Sequence, residues 1–142
     1  METTKMTPYL IFYGKCDEAL KYYEKHLGAT IDSIMRFSDM PDIPEGAISP
    51  DFKDKVMHSE FTVRGTTIFA SDGGFPGKQL EGVSFALEVQ TKEEADSIFN
   101  ALVDGGSTVL MPMAETFWSP YYGMVDDPFN VGWMVMLPGE AS

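Results

Sequence analysis

A chain of 142 residues with ten Lys and Arg against 22 Asp and Glu carries a formal net charge of −12. That balance argues against a nucleic-acid binder, which needs a basic face to meet phosphate charge, and equally against attachment to an anionic membrane surface. Hydrophobic residues make up 44% and aromatic residues 13% of the chain, enough for a packed core and too much for a disordered segment.

No apolar run approaches the ~20 residues that span a bilayer. The opening stretch, Met1 to Met6, has no apolar leader region. The one cysteine cannot form an internal bridge, which fits a reducing cytoplasm.

In chain order the hydrophobic pattern predicts a strand at 7–13, a helix at 17–27, and strands at 30–37, 56–63 and 66–72. A second set follows: a strand at 83–89, a helix at 91–104, and strands at 107–113, 121–126 and 132–137. The two sets repeat one another. Displaced by 76 residues, Asp17-Glu18-Ala19 falls on Glu93-Glu94-Ala95, and Tyr22, Tyr23, His26 and Leu27 fall on Ile98, Phe99, Leu102 and Val103. Ala19, Tyr22, Tyr23, His26 and Leu27 stand at i, i+3, i+4, i+7 and i+8, one stripe of an amphipathic helix. Acids open each helix, where the macrodipole is positive, and Gly28 and Gly105-Gly106 stand where helices end. Arg64-Gly65 makes a tight hairpin turn, matched in the second half by Asp127-Pro128-Phe129-Asn130. A Pro-, Asp- and Gly-rich loop fills 38–55, a length usually functional or mobile. The expected fold is α+β: two tandem βαβββ modules, 6–72 and 83–137, joined by a 73–82 linker within one domain 1–142, with helices outside a curved mixed sheet.

Several strings carry a resemblance. They are Pro8-Tyr9-Leu10 leading to Ala19-Leu20-Lys21-Tyr22-Tyr23, then Met57-His58-Ser59-Glu60 and Ala70-Ser71-Asp72. Two more follow, Glu115-Thr116-Phe117-Trp118 and Asp127-Pro128-Phe129-Asn130-Val131-Gly132-Trp133-Met134. With the repeat, they resemble the PhnB-like branch of the vicinal oxygen chelate superfamily, the glyoxalase, bleomycin-resistance and extradiol-dioxygenase group, over residues 6–137. Metal-dependent members of that group bind a divalent ion through one side chain from the first and last strand of each module. The resemblance maps those positions to Pro8, Phe69, Ser84 and Met134. Such an ion needs His nitrogen or carboxylate oxygen, so no metal is expected, and no cofactor. Some relatives carry names that invoke ubiquinone methyl transfer. This sequence has no Gly-rich phosphate loop or methyl-donor motif, and no CxxC pair, HExxH helix or nucleophile elbow.

Candidate site residues follow from strand alternation. If Val63 pairs with Thr66 across the Arg64-Gly65 turn, then His58, Glu60, Thr62, Thr67, Phe69 and Ser71 share one sheet face, and Phe61, Val63, Ile68 and Ala70 face the helix. In the superfamily the former face lines the cavity. His58 and Glu60 are therefore the candidate catalytic acid/base pair; the alternative is that they only hydrogen-bond each other. Trp118 precedes a strand carrying Tyr121 and offers a stacking surface, while alternation sends Trp133 to the core. Cys16 opens the first helix, flanked by acids that oppose thiolate formation. His26 takes the packing slot of Leu102, and Asp72 reads as a turn residue accepting backbone hydrogen bonds.

The expected site is thus a concavity bounded by His58, Glu60, Phe69, Ser71, Trp118, Tyr121 and Met134, with the 38–55 loop closing over it. The expected function is metal-free binding of a small organic ligand. The alternatives are a drug-sequestering protein of the bleomycin-resistance type, or a metal lyase or dioxygenase with relocated ligands. The resemblance implies a C2 homodimer.

Overall fold

In the computed structural model, which describes residues 4–139, the chain divides into two compact units with the boundary between Leu80 and Glu81. The outermost residues, 1–3 of the opening segment and 140–142, lie outside the described part. The first unit runs β1 (Tyr9–Ile11), α1 (Cys16–Leu27), β2 (Thr30–Arg36), β3 (Val56–Val63) and β4 (Thr66–Ser71). The second runs β5 (Val83–Glu88), α2 (Lys92–Asp104), β6 (Thr108–Ala114), β7 (Tyr122–Asp126) and β8 (Val131–Met136). Each forms a four-stranded mixed sheet of one plan, ordered β1-β4-β3-β2 and β5-β8-β7-β6, so the modules are in tandem as the repeat predicts. Among the described residues no helix is long and apolar enough to cross a membrane.

Burial on one sheet face explains each unit. Ala19, Tyr22, Tyr23 and Leu27 of α1 are buried, and Tyr23 stacks on Phe61 of β3 at 5.6 Å between ring centroids. Their counterparts Ala95, Ile98, Phe99 and Leu102 are buried on α2. Phe85 stacks on Trp133 at 5.2 Å, and Trp133 is a core residue as alternation predicts. Such aromatic pairs add about 0.5–1.5 kcal/mol to the burial itself. The β3–β4 register pairs Val63 with Thr66, Thr62 with Thr67 and Glu60 with Phe69, as the turn dictates. Arg64 (φ 50°) and Gly65 (φ 84°) are both left-handed, the requirement of a two-residue hairpin loop. Gly28 takes φ 66° and returns its N–H to the Tyr23 carbonyl, ending α1.

The two helices begin differently. Thr91 caps α2 from within the sequence, its hydroxyl accepting the Glu94 N–H, while Glu94 accepts the Gln90 N–H. Lys15, at the same place before α1, makes no side-chain cap. Its role passes to Asp72, wholly buried just past β4: Oδ1 accepts the Gly14 and Cys16 N–H groups at 2.8 Å each, and Oδ2 accepts Val56 N–H at 2.9 Å. Asp127 does similar work in the second unit, taking Phe129 and Val131 N–H on Oδ1 and the Trp133 indole N–H on Oδ2.

Three sequence expectations are corrected. The first strand is Tyr9–Ile11 rather than 7–13, because Tyr13 (φ 51°) and Gly14 (φ 109°) turn the chain into α1. The strand expected from 121 starts at Tyr122. The 38–55 loop, expected as a free lid, is a tethered strap. Phe37 and Phe52 are buried, Ser49 N–H bonds the Gly74 carbonyl, and the Lys55 ammonium bonds the Gly14 carbonyl. These anchors hold it beside the start of α1.

Asp72→Ala leaves three donors without their acceptor, at about 1–3 kcal/mol per buried group. The expected outcome is a loss of at least about 3 kcal/mol in urea unfolding, whereas Glu60→Ala on the open face shifts stability by no more than about 0.5 kcal/mol.

Candidate functional site

In the first unit, α1 covers one sheet face and leaves the other open. On the open face Tyr9 of β1 stands beside Phe69 of β4, Phe69 is paired with Glu60 of β3, and His58 lies two residues along β3 from Glu60. Their side chains meet. The Tyr9 hydroxyl lies 3.4 Å from His58 Nδ1, and His58 Nε2 lies 3.7 Å from a Glu60 carboxylate oxygen. The His58 ring sits edge-on to Phe69 at 4.9 Å, and Phe69 is edge-on to Tyr9 at 6.2 Å. Met35 of β2, paired with His58, adds an exposed apolar neighbour. The row is accessible: the His58 side chain is 25% exposed and that of Glu60 41%. An imidazole between a phenol and a carboxylate can accept a proton from the one and, once charged, be stabilised by the other.

Ser71 lies at the end of β4 but is buried, and its hydroxyl oxygen accepts the Gly73 N–H in the turn that follows. The remaining candidates belong to the second unit. Met134 sits on the open face of β8, paired with Met124 and Ala86. Trp118 is 43% exposed, edge-on to Phe117 at 4.8 Å and to Tyr122 at 5.3 Å. Tyr121 is not on that face. Its hydroxyl donates to Asp96 of α2 at 2.5 Å, with the Lys92 ammonium 5.4 Å from its ring centre. The hydrogen bond to Asp96 raises the Tyr121 pKa above the usual phenol value. Alternation puts Tyr122, which pairs with Met136, on the same face as Met124 and Met134.

Tyr9 was missed because the repeat slips. Four residues join β1 to α1 and only three join β5 to α2, so a displacement that is right for the helices is one residue wrong for the strands. The ladder partners show the true equivalence: Tyr9 pairs with Phe69 as Ala86 pairs with Met134. The first-strand positions are therefore Tyr9 and Ala86, not Pro8 and Ser84. Unequal linkers were the signal in the sequence.

A phenol, a phenyl ring, a methyl group and a thioether do not fit a divalent ion, which needs three or four nitrogen or carboxylate donors. Among the described residues no group of three or more His, Cys, Asp or Glu side chains is placed to hold one.

Two further charged or nucleophilic groups lie away from this face. Arg36 at the end of β2 grips both Asp17 carboxylate oxygens at 2.9 Å, which lowers the Asp17 pKa. Cys16 is wholly buried, with Sγ 3.8 Å from the Ser59 hydroxyl. Burial, and then the Asp72 charge, push its thiol up to about 12. The thiolate is the reactive form, so the folded protein is expected to consume no Ellman's reagent at pH 8, and the unfolded protein one equivalent per chain.

Comparison with known proteins gives concordant matches. A family described as 3-demethylubiquinone-9 3-methyltransferase matches residues 4–136. The protein YjdN of Escherichia coli K12 is 33% identical over 139 residues, 92% of each chain. The solved structure of PA1353 from Pseudomonas aeruginosa has 38% identity and a TM-score of 0.79, covering 97% of this chain and 100% of that one. A structure from Bacillus cereus, titled a putative 3-demethylubiquinone-9 3-methyltransferase, PhnB protein, has 26% identity and a TM-score of 0.73, covering 94% and 99%. In fold alone, the chain also resembles the fosfomycin resistance protein FosX of Listeria monocytogenes, with 11% identity and a TM-score of 0.63 over 96% and 93% of the two chains.

Proposed function

This chain belongs to the PhnB-like branch of the vicinal oxygen chelate superfamily, and from that premise we propose that it binds a small organic ligand on the open face of its first unit without a metal ion. The observation that carries this reading is the Tyr9–His58–Glu60 row laid against Phe69. Apolar walls with a few convergent polar groups are the usual form of a small-molecule site. Phe69 and Met35 offer the walls, and the row offers the polar anchor.

The chemistry proposed for the row is proton transfer. With Nδ1 accepting the Tyr9 proton, His58 carries its own hydrogen on Nε2, towards Glu60. An acidic group of the ligand passes its proton to the Tyr9 oxygen as Tyr9 hands its proton to Nδ1. The resulting imidazolium faces the Glu60 carboxylate, which stabilises it. The setting proposed is the cytoplasm, with the protein acting as a homodimer.

A second reading, a binder of organic cations, is favoured by the second unit. There Phe117 is almost fully exposed and, with Trp118, lines a groove of about 430 Å³ beside Glu115. Aromatic faces beside a carboxylate attract cations.

The two readings separate in one experiment. In a screen of small carboxylic and enolic acids followed by NMR, binding is expected to move the His58 and Phe69 ring signals. His58→Ala is expected to weaken the affinity about tenfold or more, the equivalent of roughly 1.4 kcal/mol. Hits that are cations, quench Trp118 in a Trp133→Phe background and ignore His58→Ala would replace the first reading by the second. Elemental analysis of protein purified without chelator is expected to find no stoichiometric Zn, Ni, Mn or Fe; near one equivalent per chain would overturn the metal-free reading.

A further inference from the structure

The four strands of the first unit hold a single Lys or Arg, which is Arg36. It is turned towards α1, where Asp17 takes both arms of the guanidinium and the Asp54 carbonyl accepts a further hydrogen bond. Lys55, just before β3, donates to the Gly14 carbonyl, and Arg64 lies in the hairpin turn past the end of β3. The strand residues of the open face therefore bring carboxylate charge and no Lys or Arg to balance it. Glu60 is there, its side chain 41% exposed, and Asp32 adds a second carboxylate, which accepts the Thr62 hydroxyl at 2.7 Å.

The rest of the surroundings are uncharged. Because Asp32 is bulged out between Ile31 and Ser33, it is Ser33 that stands opposite Glu60, and Met35 that stands opposite His58. The row of Tyr9, His58 and Glu60 is thus bordered by a hydroxyl, a thioether and the Phe69 ring.

We infer that this site takes uncharged oxygen acids, a phenol or an enol on a flat apolar frame, and turns carboxylates away, with Glu60 as the residue that discriminates. A phenol arrives with its proton. It donates that proton to the Tyr9 oxygen as Tyr9 donates its own to His58 Nδ1, which leaves a phenolate, a neutral Tyr9 and an imidazolium. Ligand and row together carry the single charge of Glu60 before the transfer and after it. A carboxylic acid is already ionised at neutral pH, so it has no proton to give and sets a second negative charge beside Glu60. Like charges confined to one site repel each other, and the strands offer no Lys or Arg to offset them. The chain's net charge of −12 opposes an approaching anion from farther out. This inference rests on the site proposed above and names the class of acid it takes.

Two ring-matched probes, 4-methylphenol and 4-methylbenzoate, test it in NMR titrations of the whole chain at neutral pH. In the wild type 4-methylphenol is expected to move the His58 and Phe69 ring signals and to bind about tenfold or more tighter than 4-methylbenzoate. Glu60→Gln is expected to narrow that ratio about tenfold, by weakening the phenol and admitting the carboxylate. Glu24→Gln removes the same charge from α1 and is expected to leave the ratio unchanged. Added salt, which needs no variant, is expected to strengthen 4-methylbenzoate binding and to leave 4-methylphenol as it was. If 4-methylbenzoate binds as tightly as 4-methylphenol, if salt weakens it, or if Glu60→Gln moves the ratio no more than Glu24→Gln does, the selection by Glu60 is wrong while the site stands. If neither probe moves the His58 and Phe69 signals, or if His58→Ala leaves 4-methylphenol affinity unchanged, the site itself is overturned and this inference with it.

Discussion

The carboxylate of Asp72 is the constraint on which the first unit depends. It sits wholly buried at the end of β4 and collects N–H groups from the turn before α1, from the first residue of α1 and from the start of β3. Buried backbone donors must find acceptors, and here one side chain serves three elements. It starts the helix, closes the β3–β4 pair at its far end, and fixes the turn that carries the chain from β1 into α1. Tyr9 reaches His58 because β1 is held in register against β4. The geometry of the candidate site is thus set from a residue that takes no part in it.

The second unit solves the same problem locally. Asp127 takes its donors from residues two, four and six positions along the chain, so its turn organises itself. The donors of Asp72 lie 58, 56 and 16 residues away. One module therefore carries its turn and cap within short windows, and the other assembles them only when its sheet closes. Contacts of long sequence separation form late and slowly in folding, which makes α1 the more dependent of the two helices.

Duplication supplied the plan, and the copies then parted where chemistry is concerned. In the first unit the open face presents Tyr9, His58 and Glu60; equivalent ladder positions in the second hold Ala86, Tyr122 and Met124. On the open faces, His58 and Glu60 of the first module stand where the second has Tyr122 and Met124. Fold kinship alone does not assign a reaction, but the row of Tyr9, His58 and Glu60 has no counterpart at the equivalent positions of the second unit.

The sequence by itself determined whatever lies within a short window. Helix stripes are visible because the 3.6-residue period is local, and the register of β3 on β4 is visible because the Arg64-Gly65 turn allows one pairing. From that pairing the shared face of His58, Glu60 and Phe69 follows, and alternation along β8 by itself turns Trp133 to the core. Only tertiary structure decided the rest. Tyr9 joined the site because β1 and β4 are parallel neighbours whose paired residues lie sixty positions apart, and no turn between them records their register. Tyr121 lies off the open face because the β7–β8 register pairs Met124 with Met134, so alternation puts Tyr122 on their side and leaves Tyr121 to reach Asp96. The 38–55 strap is tied down by Phe37, Phe52 and Lys55 through contacts across the unit, which composition does not encode. Periodicity and turn chemistry are properties of neighbouring residues; register between distant strands is a property of the folded sheet.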